Sequence, residues 1–507
     1  AACDENPAAR IVVRTHPDVV AGRRRGYLEQ AARGRGVEVS AVGDDPLPWL
    51  KRAARVYVAT SQLGYEALLC ERPVTVFGEP FYAGWGLSDD RRAIPRRRHR
   101  RDIDELFHAA HLHLARYVSP VSGELWQLED CIEHVALQRR MFGENARRFL
   151  CEGIAPWKRR YVAHYLRSPD GGVRFAGRFP LARARRSREA DAASKDGSDT
   201  RLCWSFRFGA ERRSPRPPLW RMEDGFLRSA GLGSDFTAPG SLVVDSRGLY
   251  IDPSSPSDLE TLLETRDCTA FECRRAAALR RQVIAAGVTK YNVGTAGQSE
   301  PAPADRTRVL VIGQVENDES IRRGCTTIDT NGALLRAVRA ARPEAWVVYR
   351  PHPDVVAGNR PGRVDRRILD ECADRVEALT PIGESIDACD ELHTMTSLAG
   401  FEALMRGKVV TAWGAPFYAG WGLTHDRVDL PRRTRRRTLD ELVFLALVVY
   451  PRYVDIASGE FVTAEDMVRI IEERKCDVTR EGRDSRGWPR RQLERAANLV
   501  RGLRYAP

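Results

Sequence analysis

The sequence predicts an α/β fold, with parallel sheets covered by helices on both faces, built as a module that occurs twice and whose first copy is incomplete. Three observations predict it. The first is a set of phrases that recur 336 residues later, as from His16 to His352, Ser61 to Ser397 and Trp85 to Trp421. Arg14-Thr15-His16-Pro17-Asp18-Val19-Val20 returns as Arg350-Pro351-His352-Pro353-Asp354-Val355-Val356, and Thr60-Ser61 with Gly64, Glu66, Ala67 and Leu68 as Thr396-Ser397 with Gly400, Glu402, Ala403 and Leu404. Pro80-Phe81-Tyr82-Ala83-Gly84-Trp85-Gly86-Leu87 returns unchanged from Pro416 to Leu423. A period this long exceeds the roughly 20 to 50 residues of solenoid repeats and means a duplicated domain. The second is the alternation of short β-branched runs with helical patterns, the signature of a parallel sheet. The third is size: 507 residues, 43% of them hydrophobic, suffice for three or four units of about 150 residues each.

The elements follow in order. Residues 1–145 are read as the nucleotide-binding half of the first copy, and 146–200 as a helical crossover and flexible linker. In 201–305, an acceptor-side α/β domain, Leu202 to Phe206 reads as a strand and Trp220 to Ser229 places Glu223 and Asp224 on a glycine turn. Ser257 and Glu260 form the capping box of a helix. In 306–437, the nucleotide-binding domain of the second copy, Arg308 to Gly313 and Trp346 to Arg350 are buried strands, with Asn331 to Ala341 a helix between them. Leu398 to Arg406 reads as a helix and Lys408 to Trp413 as a strand. Helices complete the chain over 438–507. Its longest apolar run, Val443 to Tyr450, falls short of the roughly 18 residues that span a bilayer.

Since organised sequence precedes the second copy and only 15 residues precede His16, and since the chain opens on Ala1, the expectation is a fragment of a longer protein. Eleven scattered cysteines, an odd number, point to free thiols of a reducing cytosol. The net charge of +12 is concentrated in Arg91 to Arg101 and in Arg427 to Arg437. These runs are either solvated basic faces or docking surfaces for an anionic partner such as lipid headgroups or an acidic glycan. Nucleic acid is not expected, because basic and aromatic residues do not interleave and no recognition motif is present.

Sites in such sheets lie beyond the carboxyl ends of the strands, and three polar motifs fall there. Gln314-Val315-Glu316-Asn317-Asp318 follows the first strand, where Asp318 suits a nucleophile or base, or else a helix cap. His352, held between two prolines after Arg350, is placed to donate to a phosphate, or is a structural histidine. Thr396 and Ser397 open a helix, where hydroxyls and the positive dipole end attract phosphate, or serve as a plain N-cap. Together they read as a nucleotide-phosphate pocket facing a carboxylate.

The Pro-Phe-Tyr-Ala-Gly-Trp-Gly-Leu phrase, the Met222-Glu223-Asp224-Gly225-Phe226-Leu227-Arg228-Ser229 turn, Gly231-Leu232-Gly233-Ser234-Asp235, Lys290-Tyr291-Asn292 and Gln314 to Ser320 resemble the bacterial capsule polysaccharide β-Kdo transferases of the KpsC/LipB type. The resemblance covers nearly the whole chain apart from Arg183 to Thr200. It implies a GT-B-like pairing of Rossmann-type domains and transfer of Kdo from CMP-Kdo, with retention of configuration, to a lysophosphatidylglycerol-linked Kdo acceptor. It places the protein in the cytoplasm, peripheral to the inner membrane, beside the capsule assembly and export machinery, with no cofactor or metal required.

By the same resemblance Asp318 is the nucleophile that forms a covalent Kdo intermediate, as retention by two displacements demands. Glu223 is the base, with Asp224 as the fallback. Gln314, Arg350, His352, Thr396 and Ser397 hold CMP-Kdo, and Glu402 meets the ribose. His16, Ser61 and Glu66 repeat the CMP pocket in the first copy, whose carboxylates would fall ahead of Ala1. The remaining module would then be the 2→7 one. Thr15 in place of Pro351 leaves the first His-Pro loop less constrained. A nucleotide-binding scaffold of the capsule assembly, and a transferase of another CMP-activated acidic sugar, are the competing readings.

Overall fold

Arg308–Ile312 is buried along its whole length and pairs in parallel with Trp346–Arg350 on one side and Glu391–Thr394 on the other. Leu310 and Ile312 face one core, while Val309 and Val311 face another with Leu334, Leu335 and Val338 of the helix Asn331–Ala341. Burial on both faces is why these strands are near-continuous apolar runs rather than alternating ones. The structure, a computed structural model, describes residues 1–20, 22–26, 28–40, 45–176, 199–206, 219–228, 237–289 and 303–480. It divides into two units, 1–118 with 124–131, and 119–123 with the chain from 132 onward.

The first unit holds a parallel pair, Val12–Arg14 with Glu38–Ser40, and a parallel sheet of Val56–Val58, Val74–Val76 and Asp89–Asp90. Its core gathers Leu50, Val58, Tyr65, Val74, Val76, Tyr82 and Leu106.

The second unit contains two six-stranded sheets. One is parallel throughout, in the order Arg375–Val376, Trp346–Arg350, Arg308–Ile312, Glu391–Thr394, Val409–Ala412, His425–Asp426. The other runs Pro451–Tyr453, Ser241–Asp245, Trp220–Asp224, Asp199–Trp204, Arg148–Glu152, Gly172–Phe175, with its first two strands antiparallel to their neighbours. Phe226 and Val243 from this sheet share one core with Leu310 and Ile312 from the other, through helices Asp258–Thr265, Ala270–Ala285 and Leu439–Val443. The paired α/β domains expected from the sequence are therefore present.

Three boundaries differ from expectation. The crossover expected over 146–200 carries two strands, Arg148–Glu152 and Gly172–Phe175, because Phe149, Leu150 and Cys151 form a fully buried run. The end expected for the first domain at 145 falls inside the second unit, since Met141 of helix Leu128–Glu144 packs with Phe149 and Val162. The helical tail over 438–507 includes the edge strand Pro451–Tyr453, and its helix Ala464–Arg480 packs Met467, Val468 and Ile471 into the shared core. Val443 to Tyr450 lies in a buried helical segment, and no described helix is long and apolar enough to cross a membrane. All the described cysteines are free thiols, Cys268 and Cys273 included.

The duplication holds at atomic detail. Tyr418 Oη donates to the Ser397 carbonyl at 2.6 Å and Tyr82 Oη to that of Ser61 at 2.5 Å. Trp421 Nε1 donates to the Phe417 carbonyl at 2.8 Å, as Trp85 does to Phe81 at the same distance. Gly420 and Gly84 sit at φ 85° and 79°, where a side chain would be strained, and each gives its N–H to an aspartate, Asp426 or Asp90.

Two arginines of the second run, Arg433 and Arg437, are buried, and others of both runs form ion pairs at the surface. Arg433 is buried and binds Glu260 and the carbonyls of Pro416 and Ala419, while Arg432 binds the other Glu260 oxygen at 2.7 Å. Arg435 pairs with Asp267, and buried Arg437 with Glu441. In the first unit Arg91 meets Glu5, Arg92 and Arg96 meet Glu79, and Arg101 meets Glu105. Ser257 caps Asp258–Thr265 by accepting from Glu260 N–H, but the Glu260 carboxylate does not close the expected box, because it is committed to the two arginines.

Candidate functional site

A cleft of about 630 Å³ opens where carboxyl ends of strands from the two sheets of the second unit face each other. Asp318, Glu223, Asp224, Gln314, Arg350, His352, Thr396, Ser397 and Glu402 all line it. Residues separated by up to 179 positions in sequence thus meet in one cavity, from Glu223 to Glu402.

On one wall, Arg308–Ile312 leads into Gln314, whose carboxamide accepts from Thr396 N–H at 2.9 Å and donates to Thr396 Oγ1 at 3.0 Å. Gln314 therefore latches the segment that starts the next helix. Ser397 is the N-cap of Leu398–Met405, with its hydroxyl accepting from Ala399 N–H at 3.2 Å. The N-terminus of this helix lines the cleft, where its dipole favours an anion. Glu402 is buried on the same helix.

His352 caps Pro353–Val356, and its Nδ1 accepts from Asp354 N–H at 3.1 Å. With Nδ1 an acceptor, the neutral ring carries its proton on Nε2 and is oriented as a donor. Buried Arg350 ends its strand and binds Ser385 Oγ at 3.3 Å; Ser385 donates to Glu377, which pairs with Arg308 at 2.7 Å. Burial lowers the Arg350 pKa, while Glu377 and Glu402 oppose that shift.

Asp318 is exposed and caps Glu319–Gly324, accepting from Ser320 N–H at 3.0 Å. Capping and lining the cleft are compatible uses of one carboxylate, which has about four lone-pair sites.

On the opposite wall Glu223 and Asp224 are the last residues of the Trp220–Asp224 strand, rather than members of a turn, and Gly225 follows them. Glu223 is pushed above the usual carboxylate range by burial first and by the Asp224 charge second, against the Lys158 ammonium. Asp224 is held on both oxygens: Oδ2 accepts from Arg228 Nε at 2.8 Å and Oδ1 lies 3.4 Å from Lys158 Nζ. A carboxylate clamped between two cations is a poor proton acceptor, whereas one with a raised pKa is suited to general-base work. Ser205 completes the wall at φ 48°, an uncommon backbone for serine, and hydrogen-bonds Glu223.

Lys158, Trp157, Trp204, Ser205 and Arg228 also line the cleft, although the sequence did not mark them as site residues. Only the proximity of Arg228 to Glu223 and Asp224 was a usable signal. The first-copy residues belong to the other unit. There His16 is exposed and repeats the ring contact with Asp18 N–H at 3.1 Å despite Thr15, the Ser61 hydroxyl accepts from Leu63 N–H at 3.2 Å, and Glu66 lies on Leu63–Leu69. Ser229, Gly231 to Asp235 and Lys290 to Asn292 lie outside the described residues. Among the described residues no group of His, Cys, Asp and Glu is placed to hold a metal ion.

The sequence model of the family described as capsule polysaccharide biosynthesis protein matches residues 1–123, 212–293 and 295–461. The capsule polysaccharide modification protein LipA of Neisseria meningitidis serogroup B is 38% identical over 514 residues, covering 99% of this chain and 71% of its own. Two solved structures from Thermosulfurimonas dismutans KpsC are also similar. Its β Kdo 2,7 transferase is 33% identical, over 65% of this chain and 100% of that one, with a TM-score of 0.53. Its β Kdo 2,4 transferase is 29% identical, over 64% and 97%, with a TM-score of 0.54.

Proposed function

The chain belongs to the capsule polysaccharide biosynthesis protein family, and from that premise we propose that its second unit is a retaining β-Kdo transferase. It takes Kdo from CMP-Kdo and adds it to a Kdo acceptor carried on lysophosphatidylglycerol, extending the poly-Kdo linker of a capsular polysaccharide. The observation that carries this reading is that one cleft gathers His352 and Ser397 with the carboxylate pair Glu223 and Asp224.

In the first step an Asp318 oxygen forms a bond to the anomeric carbon of Kdo as the bond from that carbon to the phosphate oxygen breaks, and CMP leaves with the electron pair. His352 and the N–H groups behind Ser397 stabilise the charge that develops on the departing phosphate. In the second step the acceptor hydroxyl bonds to the same carbon, Asp318 departs with the electron pair, and Glu223 takes the hydroxyl proton. Two inversions give retention. Asp224 pairs with Lys158 and Arg228, and its charge raises the pKa of Glu223.

The proposed linkage is 2→7, supported by 33% identity to the 2,7 transferase against 29% to the 2,4 one. A lipid-linked acceptor would put the reaction at the cytoplasmic face of the inner membrane, with the protein peripheral to it. Incubation with CMP-Kdo and the glycolipid acceptor, followed by mass spectrometry and NMR of the product, tests the reading. A product one β-Kdo longer is expected; an untouched donor, in a mixture that a control transferase consumes, would end it. CMP-sialic acid as a competing donor distinguishes the two acidic sugars.

A further inference from the structure

Lys158 is the last residue of the short helical turn Pro156–Lys158, and its side chain is only 13% exposed where it lines the cleft. Its ammonium lies 3.4 Å from the centroid of the Trp204 ring and 5.3 Å from that of Trp157. Among the described residues its hydrogen-bond acceptor is Asp224, at the long distance of 3.4 Å. An ammonium has three N–H donors, and a buried one with a single long contact is an expensive arrangement unless something else completes its shell. Aromatic faces attract the charge without supplying an oxygen.

The surrounding charges narrow what that something is. On the phosphate wall Arg350 and the helix N-termini serve the donor. On the carboxylate wall Arg228, 2% exposed, is committed to Asp224 at 2.8 Å. Lys158, whose contact with Asp224 is longer, is therefore a cation beside Glu223 able to meet an anion. Burial lowers its pKa, and the charges of Asp224 and then Glu223 oppose that shift.

Resting on the transferase reading above, we propose that Lys158 is the anchor for the carboxylate of the acceptor's terminal acidic sugar, seating that sugar's attacking hydroxyl against Glu223. The cleft would then select its acceptor by charge as well as by shape. A neutral sugar would leave a buried ammonium unmatched, which is how buried polar groups reject analogues that lack a partner.

The test compares a Kdo-terminated acceptor with its carboxamide, which differ by one charge. Binding is measured by calorimetry without donor, so that it stands apart from whether transfer occurs at all. Wild-type protein should bind the acid about tenfold or more tightly than the amide. Lys158→Met should erase that preference, and Lys158→Arg should restore part of it. Equal binding of acid and amide by the wild type, which requires no variant to fold, would overturn the proposal. So would a Lys158→Met protein that weakens for both acceptors by one factor, since that result assigns the lysine to holding Asp224 or setting the charge of Glu223.

Discussion

The backbone N–H of Asp354 donates to Nδ1 of His352 across 3.1 Å, which makes Nε2 the proton-bearing nitrogen of the neutral ring. A phosphate contact by this ring is then made through Nε2. His352→Ala should lower transfer by about a hundredfold, the usual cost of losing one stabilising donor. His352→Gln should recover part of it by presenting an amide N–H. Steady-state rates with CMP-Kdo check both; a His352→Ala enzyme within twofold of wild type would assign the ring to loop structure alone.

Asp318 has two uses, capping and proposed attack, and one substitution separates them. Asn caps helices about as well as Asp but is no nucleophile. Asp318→Asn should keep the melting temperature within about 2 °C and lower transfer by three orders of magnitude or more. A Kdo adduct on the Asp318 peptide, trapped with donor alone and detected by mass spectrometry, should vanish with it. Asp318→Ala should lose the adduct and about 1 kcal/mol of stability as well.

Glu223 must be deprotonated to act as a base, so transfer should fall as pH drops through its raised pKa, placing the acid limb above the ordinary carboxylate range. Asp224→Asn removes the second cause of that elevation, after burial, and should move the limb to lower pH. The stability sign is opposite. A carboxyl whose folded-state pKa is raised contributes most when protonated and loses that contribution as pH rises through the folded value. Glu223→Gln should therefore abolish transfer while raising the melting temperature at neutral pH, and a lowered melting temperature would contradict this assignment.

The buried Arg433 and the exposed Arg436 stand three residues apart and should behave oppositely. Arg433→Gln leaves Glu260 short of a partner at a largely buried position and should cost about 3 kcal/mol by denaturant unfolding. Arg436→Gln should stay within about 0.5 kcal/mol. Vesicle binding measured on Arg427→Gln with Arg436→Gln then reports on the exposed part of the run; unchanged binding to anionic vesicles would leave the lipid-docking reading without support there.

Legibility in the sequence followed the range of the interactions. Arg308–Ile312 and Trp346–Arg350 were readable because a strand buried on both faces is written as a local apolar run. The motifs at Gln314, His352 and Ser397 were readable because each follows its strand directly. Phe149 to Cys151 has the same kind of run, but three residues between charged neighbours gave too short a signal. Glu260 looked like a capping partner because its local spacing is right, and the arginines that claim it lie 172 and 173 residues away. Lys158 was invisible for the same reason, with Asp224 lying 66 residues downstream of it.

The Tyr418, Trp421 and Arg433 bonds to Ser397, Phe417, Pro416 and Ala419, matched by Tyr82, Trp85 and Arg97 in the first unit, bear on how such chains are recognised. The most memorable phrase in the sequence is a self-fastening clasp whose side chains mainly hold their own loop and the start of one helix. A protein diagnosed by that phrase alone has been diagnosed by its hardware. The chemistry proposed for it rests on Asp318 and Glu223, which the phrase does not contain.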